Sequence, residues 1–169
     1  MAGPQWTHTT PLAIAVWLQI LIPFTVWDSA YVFLRPYSLP GGLWHWPLFA
    51  PYAHYATIDR MYSRAGWESG DAFVAAHCVL NLAECALATG YLFMAKRYGA
   101  RRESGGGWGR TVLSGRPARW AVVLGLVQGA MTAAKTVLCL LYEAFGGWRN
   151  VGHNDWVTLL TGWIVTVWV

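Results

Sequence analysis

Apolar residues are concentrated in three long stretches of the chain and in one shorter stretch near its end. A helix needs about 20 predominantly apolar residues to cross a bilayer. Residues 11–34, 72–95 and 120–145 meet this requirement, and residues 156–169 form the shorter stretch. The pattern predicts an all-α fold, a polytopic membrane helix bundle formed by a single domain over residues 1–169.

The fourth apolar stretch is too short to be a complete span. At 1.5 Å per residue it would reach only about 21 Å, whereas the hydrocarbon core of a bilayer is about 30 Å thick. Either this helix is half-buried in the membrane or the sequence stops inside a span at Val169. We favour truncation and expect at least four transmembrane helices in the natural protein.

Composition excludes a soluble globular protein and a disordered chain. Only 12% of the residues are charged and 56% are hydrophobic, whereas soluble domains carry about 25% charged residues. The chain also contains 12 Trp and 8 Tyr, more than a minimal lipid-spanning bundle requires. This excess predicts aromatic belts at the membrane interfaces or a cavity with aromatic walls.

The basic residues indicate how the chain is oriented in the membrane. Seven of the 12 lie in the stretch Lys96–Arg119, against a single acid, Glu103. The positive-inside rule therefore places this stretch and the N-terminus in the cytosol, with the loop Arg35–Asp71 on the opposite side. Within the basic stretch, Gly105–Gly109 is expected to be a flexible connector, because it lacks the Lys and Ser or Thr of a phosphate-binding loop.

The loop Arg35–Asp71 is rich in aromatic residues, namely Trp44, Trp46, Phe49, Tyr52 and Tyr55. Pro and Gly in the same stretch predict turns. These aromatics suit a membrane interface, where the loop would form a lid or a belt. The alternative is that they close over a ligand cavity, and although the interface is favoured, the sequence leaves both interpretations open.

Polar side chains recur at helical spacing in all three long spans. The second span carries His77, Asn81 and Glu84, and the third carries Gln128, Thr132, Lys135, Cys139 and Tyr142 with Glu143 beside them. The first span carries Gln19, Thr25 and Asp28, with Tyr31 one turn beyond. Pro23 lies before Asp28 and is expected to kink the helix or to loosen its hydrogen-bond ladder. Spacings of three and four residues place the sets of the second and third spans each on one helical face. We expect the three faces to turn toward one another around one polar-floored cavity.

A charge inside a membrane costs about 3 kcal/mol even on the lenient insertion scale, so each one suggests a function. An ion pair between Glu84 and Lys135 that only joins helices remains an alternative for those two residues. Acid, base and aromatic walls together favour protonation of an alkene followed by loss of a proton elsewhere. The candidate catalytic residues are Asp28 or Glu84 as proton donor and His77 as partner or relay. The candidate substrate-binding residues are Trp27, Tyr31, Asn81, Gln128, Thr132, Lys135, Tyr142 and Glu143.

No motif for a cofactor, a metal or nucleic acid is present in the sequence. The cysteines Cys78, Cys85 and Cys139 lie inside apolar stretches and are interpreted as small buried residues. We therefore expect no cofactor and no metal. The expected partners are a lipophilic small-molecule substrate and membrane lipids, with a homodimer as an open alternative.

The order of spans resembles the emopamil-binding-protein family of EXPERA-domain membrane proteins, which includes the sterol Δ8–Δ7 isomerase. The resemblance covers nearly the whole chain and is carried by WDSAYVFLRPYSLPGG, HWPLFAPYAHYATID, NLAECALATG and QGAMTAAKTVLCLLYEAFGGW. The first of these segments looks most like the fungal branch of the family, some of whose members belong to terpenoid and meroterpenoid pathways. The resemblance implies an EXPERA-like domain in the endoplasmic reticulum membrane.

The family residues match this sequence unevenly. Glu84 matches the family Glu of the second span, whereas Asp28 and Tyr31 stand in the span where sterol isomerases have a His and a Glu. Lys135 stands near a family acid, and the last-span Asn of the isomerases has no equivalent before Val169. The resemblance thus implies an isomerase or cyclase for another polycyclic or prenylated substrate. A non-catalytic sterol- or lipid-binding membrane protein is the alternative.

Overall fold

The computed structural model describes residues 6–102 and 110–164. Its helices in chain order are α1 (Leu12–Phe33), α2 (Pro51–Ile58), α3 (Arg64–Glu68), α4 (Phe73–Tyr98), α5 (Gly115–Phe145) and α6 (Trp156–Thr158). The helices α1, α4 and α5 are long and apolar enough to cross a membrane. This confirms the three long spans, and α1 runs unbroken through Pro23. Only 11% of the most apolar part of α1 is buried within the protein, which leaves the remainder for lipid.

The fourth apolar stretch is helical from the residue at which it was predicted to begin. Helix α6 starts at Trp156, where Asp155 caps it by accepting a hydrogen bond from the amide of Thr158. It continues as a π-helix, Leu159–Ile164. The rest of the stretch lies outside the described residues, so a fourth complete span stays a prediction.

Three short strands accompany the helices, which the sequence analysis did not anticipate. They are β1 (Thr7–Thr10), β2 (Ala100–Arg102) and β3 (Arg110–Ser114), in an antiparallel sheet with the order β1-β3-β2. Because α4 continues to Tyr98 and α5 begins at Gly115, the predicted loop Lys96–Arg119 is wrong at both ends. Lys96 and Arg97 are good helix formers and extend α4, Pro117 is tolerated in the first turn of α5, and β-branched residues in β1 and β3 favour the pairing. The predicted Gly105–Gly109 connector lies outside the described residues.

The chain divides into two compact units, of which unit 1 comprises Met1–Phe24 and Ala83–Thr132. Small residues dominate its core, which consists of Leu18, Ala88, Tyr91, Ala95, Leu113, Ala118 and Ala121. Alanine at four of these positions lets helices approach closely, which is the usual packing device of membrane helices. The sheet belongs to the same unit, and the imidazole of His8 lies 3.1 Å from the hydroxyl of Tyr91.

Unit 2 comprises Thr25–Leu82 and Ala133–Val169. Here the predicted loop Arg35–Asp71 proves to be folded, with a π-helical turn (His45–Phe49), α2, a 3-10 turn (Arg60–Tyr62) and α3. Its hydrophobic cluster is formed by Tyr31, Val32, Leu39, Phe49, Tyr52, Met61, Val74 and Cys78. This cluster surrounds the side chains from which the candidate site is built.

The segment after α5 is hydrogen-bonded to the end of α2. The amide of Arg60 donates to the carbonyl of Asn150 at 3.2 Å, and the side-chain amide of Asn154 donates to the carbonyl of Ile58 at 2.8 Å. A ring nitrogen of His153 lies 2.7 Å from the carbonyl of Thr57. These bonds fix the position of the 3-10 turn, which follows directly.

Candidate active site

Asp28 is the centre of the polar contacts in unit 2. It projects from α1, and its Oδ1 accepts a hydrogen bond from the Tyr52 hydroxyl at 2.8 Å. Its Oδ2 accepts one from the Tyr62 hydroxyl at 3.2 Å and lies 3.9 Å from the Cys78 thiol. One carboxylate inside a span is therefore contacted by three donors from two other parts of the chain.

Aromatic rings form a wall beside this carboxylate. The rings of Tyr31 and Tyr52 stack with centroids 3.8 Å apart and planes 7° apart. The ring of Tyr62 lies nearly parallel to Tyr52, at 5.8 Å and 14°. Trp27 and Phe49 stack at 6.5 Å, and Trp27 also contacts Tyr52 at 5.0 Å. The faces of these rings carry the negative side of the aromatic quadrupole and attract positive charge.

Tyr62 is held by contacts to its own 3-10 turn. Asp59 caps the turn, because its Oδ1 accepts a hydrogen bond from the Met61 amide at 2.9 Å. Arg35 donates to the Met61 carbonyl at 3.1 Å, and the hydroxyl of Tyr31 donates to the Tyr62 carbonyl at 2.8 Å. The backbone of Tyr62 is thus fixed from α1 while its own hydroxyl reaches back to Asp28.

Tyr52 is positioned by the start of α2. Pro51 occupies the first turn of this helix, where a residue without an amide hydrogen is well tolerated. The Tyr52 ring is buried against Phe49, which is itself completely inaccessible. The indole N–H of Trp27 donates to the Leu48 carbonyl at 3.0 Å and ties this segment to α1. Both phenols therefore reach Asp28 from a fixed backbone.

Burial and charge keep the two phenols protonated. Burial raises the pKa of Tyr52 well above its ordinary value, and the Asp28 charge and hydrogen bond raise it further. The pKa of Tyr62 is also raised, first by burial and then by the charge of Asp28. A protonated phenol is a donor, so both residues are suited to stabilise negative charge on the carboxylate.

The predicted residues His77, Asn81 and Lys135 form a second polar group in unit 2. The buried ammonium of Lys135 donates to Oδ1 of Asn81, so polar side chains of α4 and α5 are in contact here. The ring of His77 lies 5.8 Å from that of Phe73. Its Nδ1 is buried and has no hydrogen-bond partner among the described residues. A buried polar atom in this state costs about 1–3 kcal/mol, which a ligand can recover.

Two further predicted residues lie at the end of α5. The ring of Tyr142 stacks on Phe73 at 3.9 Å, and its hydroxyl donates to Asp71. Glu143 is completely buried and accepts a hydrogen bond from the side chain of Asn150 at 2.6 Å. Phe73 and Tyr142 pack against the cluster that surrounds Asp28. Tyr142 therefore packs against the cluster around Asp28, and its role in substrate binding stays a prediction.

The remaining predicted residues belong to unit 1. Glu84 is buried, and it accepts a hydrogen bond from the hydroxyl of Thr132 at 3.1 Å. The same hydroxyl lies 3.1 Å from the carbonyl of Gln128, whose side chain is buried. The polar faces predicted for α4 and α5 thus meet in this unit too. An ion pair between Glu84 and Lys135 stays a prediction.

Sequence reasoning missed three residues that contact or support Asp28. Tyr62 and Asp59 were not singled out, Cys78 was interpreted only as a small buried residue, and Tyr52 was assigned with the other loop aromatics to an interface or to a ligand cavity. Cys78 gave no signal beyond its position inside an apolar stretch, since its contact with Asp28 depends on how α1 and α4 pack. Tyr62 and Asp59 gave no comparable signal, since their roles depend on the path of the loop.

Among the described residues, no group of three or more His, Cys, Asp or Glu side chains could hold a metal ion. Comparisons with protein-family models, with curated proteins and with solved structures found no match to this chain. The geometry around Asp28 is therefore the main basis for a functional argument.

Proposed function

We propose that the protein is an integral membrane isomerase or cyclase that acts on a lipophilic terpenoid, meroterpenoid or sterol-like substrate by proton transfer. The observation that carries this proposal is a carboxylate inside a span, hydrogen-bonded by two phenols within an aromatic wall. The resemblance to the emopamil-binding-protein family supports the same reaction class.

The first step is protonation of a substrate alkene by the neutral acid form of Asp28. The O–H bond of the acid breaks, a C–H bond forms, and the substrate becomes a carbocation. The carboxylate left behind accepts the hydrogen bonds of Tyr52 and Tyr62, which are already aimed at it. Donors placed where negative charge develops lower the barrier because they need no reorganisation.

The second step is the fate of the carbocation. Trp27, whose ring is partly exposed beside Tyr52, stabilises it by cation–π interaction. Loss of a proton from a different carbon completes an isomerisation, whereas attack by a second alkene before that loss completes a cyclisation. His77 is the candidate acceptor of this proton, because its Nδ1 is buried without a partner among the described residues.

A non-catalytic sterol- or lipid-binding role is the second candidate. It is favoured by the engagement of both Asp28 oxygens with donors from the protein, an arrangement that also occurs in purely structural sites. Such a protein would need the aromatic wall but no proton transfer. The two candidates therefore differ in whether a substrate exchanges hydrogen with water.

The proposal also includes the membrane location and the orientation of the chain. We place the protein in the endoplasmic reticulum membrane, with the stretch 96–119 in the cytosol and with a fourth span that begins at Trp156. The basic residues of that stretch support its cytosolic side, and the apolar residues from Trp156 onward support the fourth span. The endoplasmic reticulum is what the resemblance to the emopamil-binding-protein family implies.

The test is deuterium transfer from deuterated water to candidate prenylated or sterol substrates in membranes that contain the protein. Asp28→Asn is expected to lower turnover by about 100- to 10,000-fold, the usual contribution of a general acid. Glu84→Gln tests the other candidate donor. Asp155→Asn is the matched control, since Asp155 is exposed and only caps α6. Tight binding without deuterium incorporation would favour the binding role, and full turnover by both Asp28→Asn and Glu84→Gln would refute the assignment.

A further inference from the structure

The segment Tyr37–Leu48, here called the wedge, presents large apolar side chains to its surroundings. Leu43 is 81% exposed and Trp46 is 79% exposed, and Tyr37, Trp44 and Leu48 are also exposed. An apolar surface of this kind marks a site of contact with another molecule or with a membrane. The structure thus divides the aromatics of the loop, with Phe49 and Tyr52 facing the site and Trp44 and Trp46 facing outward.

The wedge is a turn held by hydrogen bonds. The exposure of its apolar side chains is therefore a feature of its folded conformation. The amide of Trp44 donates to the carbonyl of Tyr37 at 3.1 Å, and the amide of Gly42 donates to the carbonyl of Leu39 at 2.8 Å. A ring nitrogen of His45 lies 2.9 Å from the carbonyl of Ser38. Leu39 is completely buried beneath the turn.

Two observations identify what the wedge contacts. It follows directly on α1, a membrane-spanning candidate whose flank is exposed at Val26 and Phe33. The apolar surface of the wedge therefore continues a surface that already faces lipid. The guanidinium of exposed Arg64 donates to the carbonyl of Pro40 at 3.0 Å, which places a cation at the turn. Trp side chains beside a cation are typical of the headgroup region of a bilayer.

We propose that the wedge inserts into the membrane leaflet at which α1 ends. Leu43, Trp46 and Leu48 lie among the upper acyl chains, and Arg64 lies at the level of the lipid phosphates. Because the carbonyl of Leu48 accepts the indole N–H of Trp27, the inserted segment is tied to the wall of the site. This inference goes beyond the proposed function and does not depend on turnover.

Depth-dependent fluorescence quenching tests the proposal. Leu43→Cys and Trp46→Cys are each labelled with an environment-sensitive dye in the full chain and reconstituted into phosphatidylcholine vesicles. Glu68→Cys, at the exposed end of α3, is the matched control. The unmutated chain gives the background, since its three cysteines are buried.

A nitroxide near the top of the lipid acyl chain is expected to quench positions 43 and 46 several-fold more than position 68. Aqueous iodide is expected to show the opposite order. Equal quenching of all three positions by iodide would place the wedge in water and overturn the proposal. Protection of position 46 from both quenchers, with disulfide crosslinking between copies through that cysteine, would assign the surface to a second copy and overturn it equally.

Discussion

The Tyr52 hydroxyl donates to Oδ1 of Asp28 at 2.8 Å although the two residues are 24 positions apart in the chain. This contact joins the first span to the first helix of the following loop, so the carboxylate and the aromatic wall form one unit of structure. A membrane span that carried Asp28 alone would leave a charge without compensation. The loop therefore supplies the hydrogen-bond donors, Tyr52 and Tyr62, that compensate the charge of Asp28.

Tyr52→Phe and Tyr62→Phe are each expected to lower turnover by about 10- to 100-fold. A hydrogen bond to a charged group is worth about 1.5–3 kcal/mol, and the bond gains strength as Asp28 loses its proton. Tyr37→Phe is the control, because Tyr37 is exposed on the wedge. The readout is product formation under saturating substrate. Full turnover by both site variants, together with loss of turnover in Asp28→Asn, would remove the phenols from the mechanism.

The same two phenols are expected to stay protonated in alkaline solution. Burial raises the pKa of both above the ordinary value of about 10, and the charge of Asp28 raises it further. The near-ultraviolet absorbance step of phenolate formation between about pH 9 and pH 11 should therefore be unchanged by Tyr52→Phe or Tyr62→Phe. The chain has eight tyrosines. If the absorbance step of either variant were smaller than that of the unmutated protein by the amount of one tyrosine, the described burial would be contradicted.

Asp59 makes the stability of the protein depend on pH. Burial raises its pKa to about 6, and the charges of Glu143 and Asp28 add to the rise. The folded state thus binds the proton more tightly than the unfolded state, whose Asp titrates near 3.9. The stabilising contribution of this group is complete below that value and is lost as the pH rises through 6, a change of about 3 kcal/mol at most.

Asp59→Asn is expected to flatten this dependence between about pH 4 and pH 6. An Asn oxygen still accepts the hydrogen bond of the Met61 amide, so the cap of the 3-10 turn is retained. Denaturant unfolding in detergent at several pH values is the measurement. The prediction would be contradicted if the variant kept the pH slope of the unmutated protein.

Asn81 and Lys135 are expected to be energetically coupled. Asn81→Leu removes an acceptor from a buried ammonium, which should lower the free energy of unfolding by about 2–3 kcal/mol. Lys135→Met combined with Asn81→Leu should cost less than the sum of the two single changes. Unfolding of all four forms in detergent gives the coupling energy, and strict additivity would show that the contact contributes nothing of its own.

The sequence predicts the long helices because their signal is local. Hydropathy over about 20 residues identifies a span regardless of what surrounds it, and the helical spacing of Asn81 and Lys135 places them on polar faces that the structure brings together. The strands escaped prediction because β1 pairs with β3, whose residues lie more than 100 positions away. A pairing at that separation leaves no pattern in either short segment.

In the candidate site, too, the residues with a local signal are evident from the sequence and those that depend on long-range contacts are not. Asp28 is evident from the sequence because an acid within an apolar stretch is rare. Tyr62 is not evident, because its role depends on the turn that Asp59 caps and on the hydrogen bond from Arg35 to Met61. A buried Asp just after a short helix resembles any other loop residue until the fold around it is known.

The bond from the Arg60 amide to the Asn150 carbonyl bears on the order in which the protein matures during synthesis. Asp28 and Tyr62 are translated early, whereas Asn150 is translated 90 residues after Arg60. The turn that presents Tyr62 can therefore be fully fixed only after α5 has been inserted. A ribosome-bound intermediate that lacks this last segment would hold the acid in place before its hydrogen-bond donors are secured.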